Sequence, residues 1–175
     1  VIDFQLLTPD DWRLWRQLRR EALTESAAAF GSTIAEWSGP GDTEPRWRGR
    51  LEAMAFNIVL RLDGSPAGMV SGDFLEDGTA ELRSLWIAPF ARGRGVGDAA
   101  VRAVVEWANS GTVALSVKSA NAAAIALYRR HGFVDAGVSA DDSGERRMVR
   151  AGEDFAGGGD QGEVIVAIPG PRDQS

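Results

Sequence analysis

The sequence predicts an α/β chain with a mixed, mostly antiparallel central sheet flanked by helices. Apolar residues alternate with period two in several short runs and recur at helical spacing in others. These runs follow one another as strand, two helices, three strands, helix, strand, helix and two strands. The 175 residues are 44% apolar, enough for one core of ordinary size, and no linker divides them. A single domain is therefore expected over residues 1–151, followed by a C-terminal extension at 152–175.

Each element has its own signal. Ile2, Phe4 and Leu6 alternate with Asp3 and Gln5, the period of a half-buried strand. Thr8 then caps a helix with Pro9 at its first position, Asp10 and Asp11 in its first turn, and Trp12, Trp15, Leu18 and Ala22 along it. Residues 26–44 mix aromatics with breakers, too long a stretch for a plain connection, and are expected to line a site. A second helix fits residues 44–54, with Trp47 and Leu51 on one side. Residues 56–62 alternate, Asp63-Gly64 turns them into the run 67–75, and Asp77-Gly78 turns that into the run 80–87.

A helix over 95–109 carries Val101, Val104, Val105 and Ala108 at helical spacing and stops at Gly111. Residues 112–117 read as a strand, 121–130 as a helix closed by Gly132, and 133–138 with 146–150 as a last hairpin. The Gly- and Asp-rich extension then offers Val164, Ile165, Val166, Ala167 and Ile168, an edge strand or part of a disordered tail.

Composition excludes several functions. A net charge of −6 and a pI near 4.9 argue against a nucleic-acid partner. The arginine-rich stretches 16–20 and 146–150 are interspersed with apolar residues and read as solvated faces. The chain has no cysteine and one histidine, His131, so neither a disulfide, a thiolate nucleophile nor a His-based metal cluster is expected. No apolar run approaches the ~20 residues that span a bilayer, and the start lacks a targeting pattern, so a soluble, cytoplasmic protein without a membrane partner is expected.

The most informative segment is Arg92, Gly93, Arg94, Gly95, Val96 and Gly97, between a strand and a helix. A glycine-rich turn that opens a helix presents unpaired N–H groups and the positive end of the helix dipole, and so cradles an anion. No Gly-Lys-Ser/Thr follows, which excludes a P-loop, and Asp98 stands where a dinucleotide fingerprint needs its last glycine. The remaining pattern, R-G-x-G-x-G after Ala88-Pro89, resembles the Q/R-x-x-G-x-G/A pyrophosphate loop of the GNAT superfamily of acyl-CoA dependent N-acyltransferases. Downstream, Asn121, Ala124, Leu127, Tyr128, Gly132 and Phe133 reproduce that superfamily's N-x-x-A-x-x-L-Y-x-x-x-G-F signature. The resemblance covers residues 55–150 well, 1–54 loosely and the rest not at all.

The resemblance implies the GNAT fold and an N-acetyltransferase that moves an acetyl group from acetyl-CoA, a co-substrate, directly to a primary amine. The acceptor would be a small molecule or a peptide or protein N-terminus. With no cysteine and no evident Ser-His pairing, a covalent acyl-enzyme is not expected. By the same resemblance, backbone amides from Gly93 to Asp98 hold the pyrophosphate, and Arg92 and Arg94 either add charge-assisted contacts or point to solvent. A bulge and a parting of strands would free the N–H groups of Leu85, Trp86 and Ile87 for the pantetheine arm and the acyl oxygen. Asn121 is an N-cap, a ligand to the arm, or both.

Tyr128, the only tyrosine, stands where the superfamily places the acid that protonates the leaving thiolate. Glu81 matches the general base of the histone acetyltransferase branch, and strand parity places it with Arg83 and Leu85 on one face. In the ribosomal-protein alanine acetyltransferase branch, whose N-A-A-A-I-A-L-Y stretch residues 121–128 repeat, an acidic base falls where this chain has Ser116. A base acting through water, or none, stays open. An acceptor site is expected between residues 26–44, the hairpin at 75–78 and the turn at 139–144, where Glu36, Asp42, Glu76, Asp141 and Asp142 favour a cationic amine. Sheet edges and a tryptophan-bearing surface offer a homodimer contact. The alternative from another class is a domain that binds acyl-CoA as a sensor without turning it over.

Overall fold

In the computed structural model, which describes residues 1–139 and 144–152, seven strands form one sheet in the order β1-β2-β3-β4-β5-β7-β6. The strands are β1 (Ile2–Leu6), β2 (Phe56–Leu62), β3 (Ser65–Phe74), β4 (Ala80–Ile87), β5 (Val113–Lys118), β6 (Val134–Val138) and β7 (Glu145–Arg150). All neighbours are antiparallel except β4 and β5. The helices are α1 (Trp12–Glu25), α2 (Glu44–Ala53), α3 (Val96–Trp107) and α4 (Ala122–Arg130). This is the mixed sheet with flanking helices that the run order predicts. Asp141, Asp142 and the expected edge strand at 164–168 lie outside the described residues.

Two cores cover the two faces of the sheet. On one, Val59, Met69, Trp86 and Ala88 pack against Trp15, Leu18, Ala22 and Leu23 of α1 and Trp47 and Leu51 of α2. On the other, Ile58, Leu60, Val70, Leu82 and Leu115 meet Val96, Ala100, Val101 and Val104 of α3 and Tyr128 of α4. Burying a side chain of this size contributes about 1.5–3 kcal/mol, so these layers dominate stability. Trp15, Trp37, Trp47 and Trp86 are buried, while Trp12 and Trp107 are half-buried.

Two local expectations need correction. Phe4 and Leu6 are 54% and 60% exposed, because β1 is an edge strand that pairs only with β2, and alternation alone does not bring cover. Thr8 is the N-cap with Pro9 first, as expected, but the opening turn is not α-helical and α1 proper begins at Trp12. Pro9–Asp11 form a 3-10 turn, and the Asp11 carboxylate folds back to accept from the Thr8 N–H at 2.8 Å.

The feature that shapes the site lies in β4. Ser71 pairs with Arg83 and Met69 with Trp86, so Ser84 and Leu85 together oppose Val70 alone. The extra residue is a β-bulge, and Ser84 enters it with φ 55°, a left-handed conformation that a non-glycine residue rarely adopts. A bulge reverses strand parity. Ala80 and Leu82 face α3 before it, Leu85 and Ile87 face α3 after it, and Trp86 and Ala88 turn to α1. The expected common face of Glu81, Arg83 and Leu85 is thereby overturned: Leu85 lies opposite to the other two. Beyond the pairs Ala80–Val113 and Glu81–Ala114, β4 and β5 pair no further.

Candidate active site

Two hollows meet at this parting. A groove of about 550 Å³ runs past Leu85, Trp86 and Ile87 to Arg92, Gly93, Gly95, Gly97 and Asp98, with Asn121, Ala124 and Leu127 opposite. A cavity of about 150 Å³ lies on the other side, lined by Phe30, Trp37, Leu75, Glu81, Ser84, Ser116, Tyr128 and Arg147 among others. Phe30, Leu85, Asn121 and Ala124 border both.

The glycine-rich turn has the form of an anion cradle. Gly93 has φ 73° and Gly95, the N-cap of α3, φ 86°. In α3 the Ala99 N–H donates to the Gly95 carbonyl, so the N–H groups of Val96, Gly97 and Asp98 precede the helical ladder. A Cβ at Gly97 would approach Leu127 to 3.2 Å, so glycine also lets α4 close against the turn. Asp98 accepts from His131 Nε2 at 2.8 Å and Arg130 Nη2 at 3.1 Å, clamping the start of α3 to the end of α4. The His131 bond is the main reason its carboxyl sits below the usual range.

The predicted residues separate by role. Val96 is buried, Arg94 is exposed, and neither borders either hollow. Arg92 borders the groove but is already engaged: Nη2 donates to Glu25 at 2.7 Å and Nε to the Ile87 carbonyl at 3.1 Å. Glu25 also accepts from Ser26 and from Trp86 Nε1 at 3.0 Å, and these bonds, that of Arg92 first, hold its carboxyl down to about 2. The Ala88 N–H donates to Ala67 on β3, so alternation turns the Ile87 N–H toward β5 and the Trp86 N–H away from it. Asn121 caps α4, its Oδ1 accepting from the Ala124 N–H at 3.2 Å.

Tyr128 projects from α4 into the cavity with its ring 5.8 Å from that of Phe133. Burial raises its phenol above the ordinary value. Glu81 is 7% exposed, each oxygen engaged once: Oε1 by Arg83 Nε, Oε2 by Arg147 Nη1 at 3.0 Å. The same Arg147 nitrogen donates to Ser116 Oγ at 2.9 Å. Among the described residues no cluster of His, Asp and Glu could hold a metal ion, and no helix is long and apolar enough to cross a membrane.

The acidic acceptor loops also need correction. Glu36, Asp42 and Glu76 do not line the cavity. Asp42 instead accepts from Arg16 Nε and Trp47 Nε1, both at 2.7 Å, and from Arg20 at 3.3 Å. The residues that do line it, and that the sequence reading missed, are cations: Arg19, Arg50, Arg83, Lys118 and Arg147. Arg19 and Arg147 are 7% and 8% exposed, against the expectation of solvated faces. Arg19 had a legible signal, since Trp15, Leu18 and Ala22 define an apolar stripe that includes position 19.

The chain matches the Acetyltransferase (GNAT) family over residues 12–133. Over 58 residues, 33% of this chain, it is 38% identical to N-alpha-acetyltransferase RimI of Mycobacterium tuberculosis, a stretch that spans 37% of that relative. The fold is similar to PaiA N-acetyltransferase of Thermoplasma acidophilum in complex with coenzyme A, with TM-score 0.69 and 15% identity over 86% of this chain and 99% of that one. It is also similar to yncA of Salmonella typhimurium with its cofactor acetyl-CoA, with TM-score 0.68 and 16% identity over 92% and 99%.

Proposed function

Because the chain belongs to the GNAT acetyltransferase family, we propose that it is an N-acetyltransferase that moves an acetyl group from acetyl-CoA directly to a primary amine. The amine belongs to a small molecule or to a peptide or protein N-terminus. The observation that carries the reading is the junction of groove and cavity where β4 and β5 part, with the glycine cradle at one end and Tyr128 at the other.

The residues fit a coenzyme A carrier. Gly93 and Gly95 adopt backbone that side chains disfavour, and the amides of Val96, Gly97 and Asp98 have no partner within the helix, as a diphosphate site requires. Bound acetyl-CoA supplies an activated thioester carbonyl. The Ile87 N–H, on the parted edge of β4, polarises the acyl oxygen, worth about 2.7–4 kcal/mol for one such donor. Phe30 and Leu85 exclude water where groove meets cavity. Tyr128 keeps a proton on Oη for the departing sulfur, and its raised phenol keeps that proton through neutral pH. Glu81 retains a second lone pair on each oxygen, and one of these takes the amine proton.

One observation favours the sensor alternative: accepting a proton on Glu81 weakens its ties to Arg83 and Arg147. Thiol release from acetyl-CoA over a panel of amines separates the two. Acceptor-dependent release that is lost in Tyr128→Phe supports the enzyme. Coenzyme A binding with no release for any amine supports the sensor.

A further inference from the structure

The charge of the cavity runs against that of the chain. In a protein of net charge −6, the described residues that line the cavity beside the β4–β5 parting include five cationic side chains and two carboxylates, Glu81 and Glu145. Glu81 is shared by Arg83 and Arg147, and Glu145 pairs with Lys118 at 3.0 Å. Arg19 and Arg50 have no carboxylate within ion-pair distance among the described residues; Glu36 acts on Arg19 and Asp73 on Arg50 only from farther off. Arg50 donates to neutral oxygens alone, Ser84 Oγ at 3.1 Å and Ser71 Oγ and Asn57 Oδ1 at 3.4 Å.

Arg19 is the more telling of the two. Only 7% of it is exposed, it lies over the Phe30 ring at 4.7 Å, and its Nη1 is buried with no hydrogen-bond partner among the described residues. A buried guanidinium nitrogen without an acceptor is costly, and a planar carboxylate is the group that matches its fork. Burial brings Arg19 down to about 10 and Arg50 to about 9.

Building on the acyl-transfer reading, we propose that the acceptor is a small primary amine that also carries a carboxylate, held by Arg19 and Arg50 while its amine faces the groove. A cavity of about 150 Å³ suits a molecule of amino-acid size. Diamines and lysine-rich peptides are then poor acceptors, since they would place a second cation among unpaired guanidinium groups.

The test uses the full chain and two five-carbon probes of opposite charge, glutarate and cadaverine, titrated calorimetrically at equal ionic strength without coenzyme A. Glutarate binds and cadaverine does not, and Arg19→Met weakens glutarate binding by about tenfold or more. Arg19→Lys, which keeps the charge and loses the fork, weakens it as well. In thiol release, aspartate or glutamate outperforms cadaverine, and Arg19→Met raises the acceptor KM while the Kd for coenzyme A stays unchanged. Cadaverine binding as well as glutarate, no glutarate binding, or an Arg19→Met variant with unaltered glutarate affinity each overturns the proposal. If coenzyme A itself does not bind, the acyl-transfer reading fails while the glutarate titration still decides this one.

Discussion

Arg147 Nη1 lies 3.0 Å from Glu81 Oε2, a contact that ties β7 to β4 across β5. The two side chains are 10% and 9% exposed, so neither charge is well compensated by water once the other is gone. Arg147→Met is expected to destabilise the fold by about 1–3 kcal/mol, since Glu81 loses one charged donor and keeps Arg83. Urea denaturation checks it. Glu81→Gln, which keeps hydrogen-bonding atoms on the same frame, loses less stability but lowers kcat by about 100-fold or more if Glu81 takes the amine proton. A variant that loses stability with kcat unchanged assigns Glu81 a purely structural role.

Tyr128→Phe removes one hydroxyl and leaves the ring against Phe133. The expected effect is a kcat lowered about 100-fold to 10,000-fold with the KM for the acceptor little changed. In the proposed acid role the active form is the protonated phenol, whose folded value burial raises above the ordinary value of about 10. Activity therefore shows no loss assignable to Tyr128 as pH rises to about 10. The stability contribution has the same sign: it is fully present below the unfolded value and is lost as pH rises through the folded one. A Tyr128-dependent alkaline limb near pH 8 in the kcat profile contradicts this.

Gly68 and Gly95 predict two different failures. A Cβ on Gly68 would stand 2.8 Å from the Trp86 carbonyl, so Gly68→Ala forces the backbone of β4 to move and costs about 1–3 kcal/mol. At Gly95 the space is adequate, 3.6 Å from Ile2 Cδ1, but φ is 86°. Gly95→Ala therefore costs about 1–2 kcal/mol from backbone alone. Thermal melts in the two variants check both magnitudes, and calorimetry with coenzyme A should show weaker binding in each.

How much of this was legible in the sequence depends on the range of the interaction. Period and turn chemistry are local, so strands such as β4 and turns such as Asp63-Gly64 appear with correct type and near-correct ends. The left-handed turn at Gly93 and Gly95 was legible because glycine at positive φ leaves a residue signal. The bulge left none in β4 itself, because a serine occupies the left-handed position and the hydroxyl is held by Arg50, 34 residues away in sequence. That single insertion decides which way Leu85 points. The cationic cavity was equally hidden: Lys118 meets Glu145, and Arg147 meets Ser116, only once β7 is in register with β5. Loop acidity misled for the opposite reason, since Asp42 spends its charge on Arg16 and Arg20.

Asp42 gives a prediction in acid. Its carboxyl is held well below the usual range, first by the hydrogen bond from Arg16 and then by that from Trp47. A depressed folded value contributes stability that is present above the unfolded value, about 3.9, and is lost as pH falls through the folded one. Asp42→Ala is expected to cost about 1.5–3 kcal/mol at pH 7. That difference should shrink as the pH drops below about 3.9. A difference that stays constant down to pH 2 contradicts the ion-pair origin.

In the proposed acyl transfer, backbone amides at the start of α3 grip the diphosphate of coenzyme A. Isothermal titration of the chain with coenzyme A tests it most directly, with Gly95→Val as the control. Saturable binding of about micromolar affinity is expected, falling by tenfold or more in the variant. No heat with coenzyme A, or a Gly95→Val chain that binds it equally well, contradicts it.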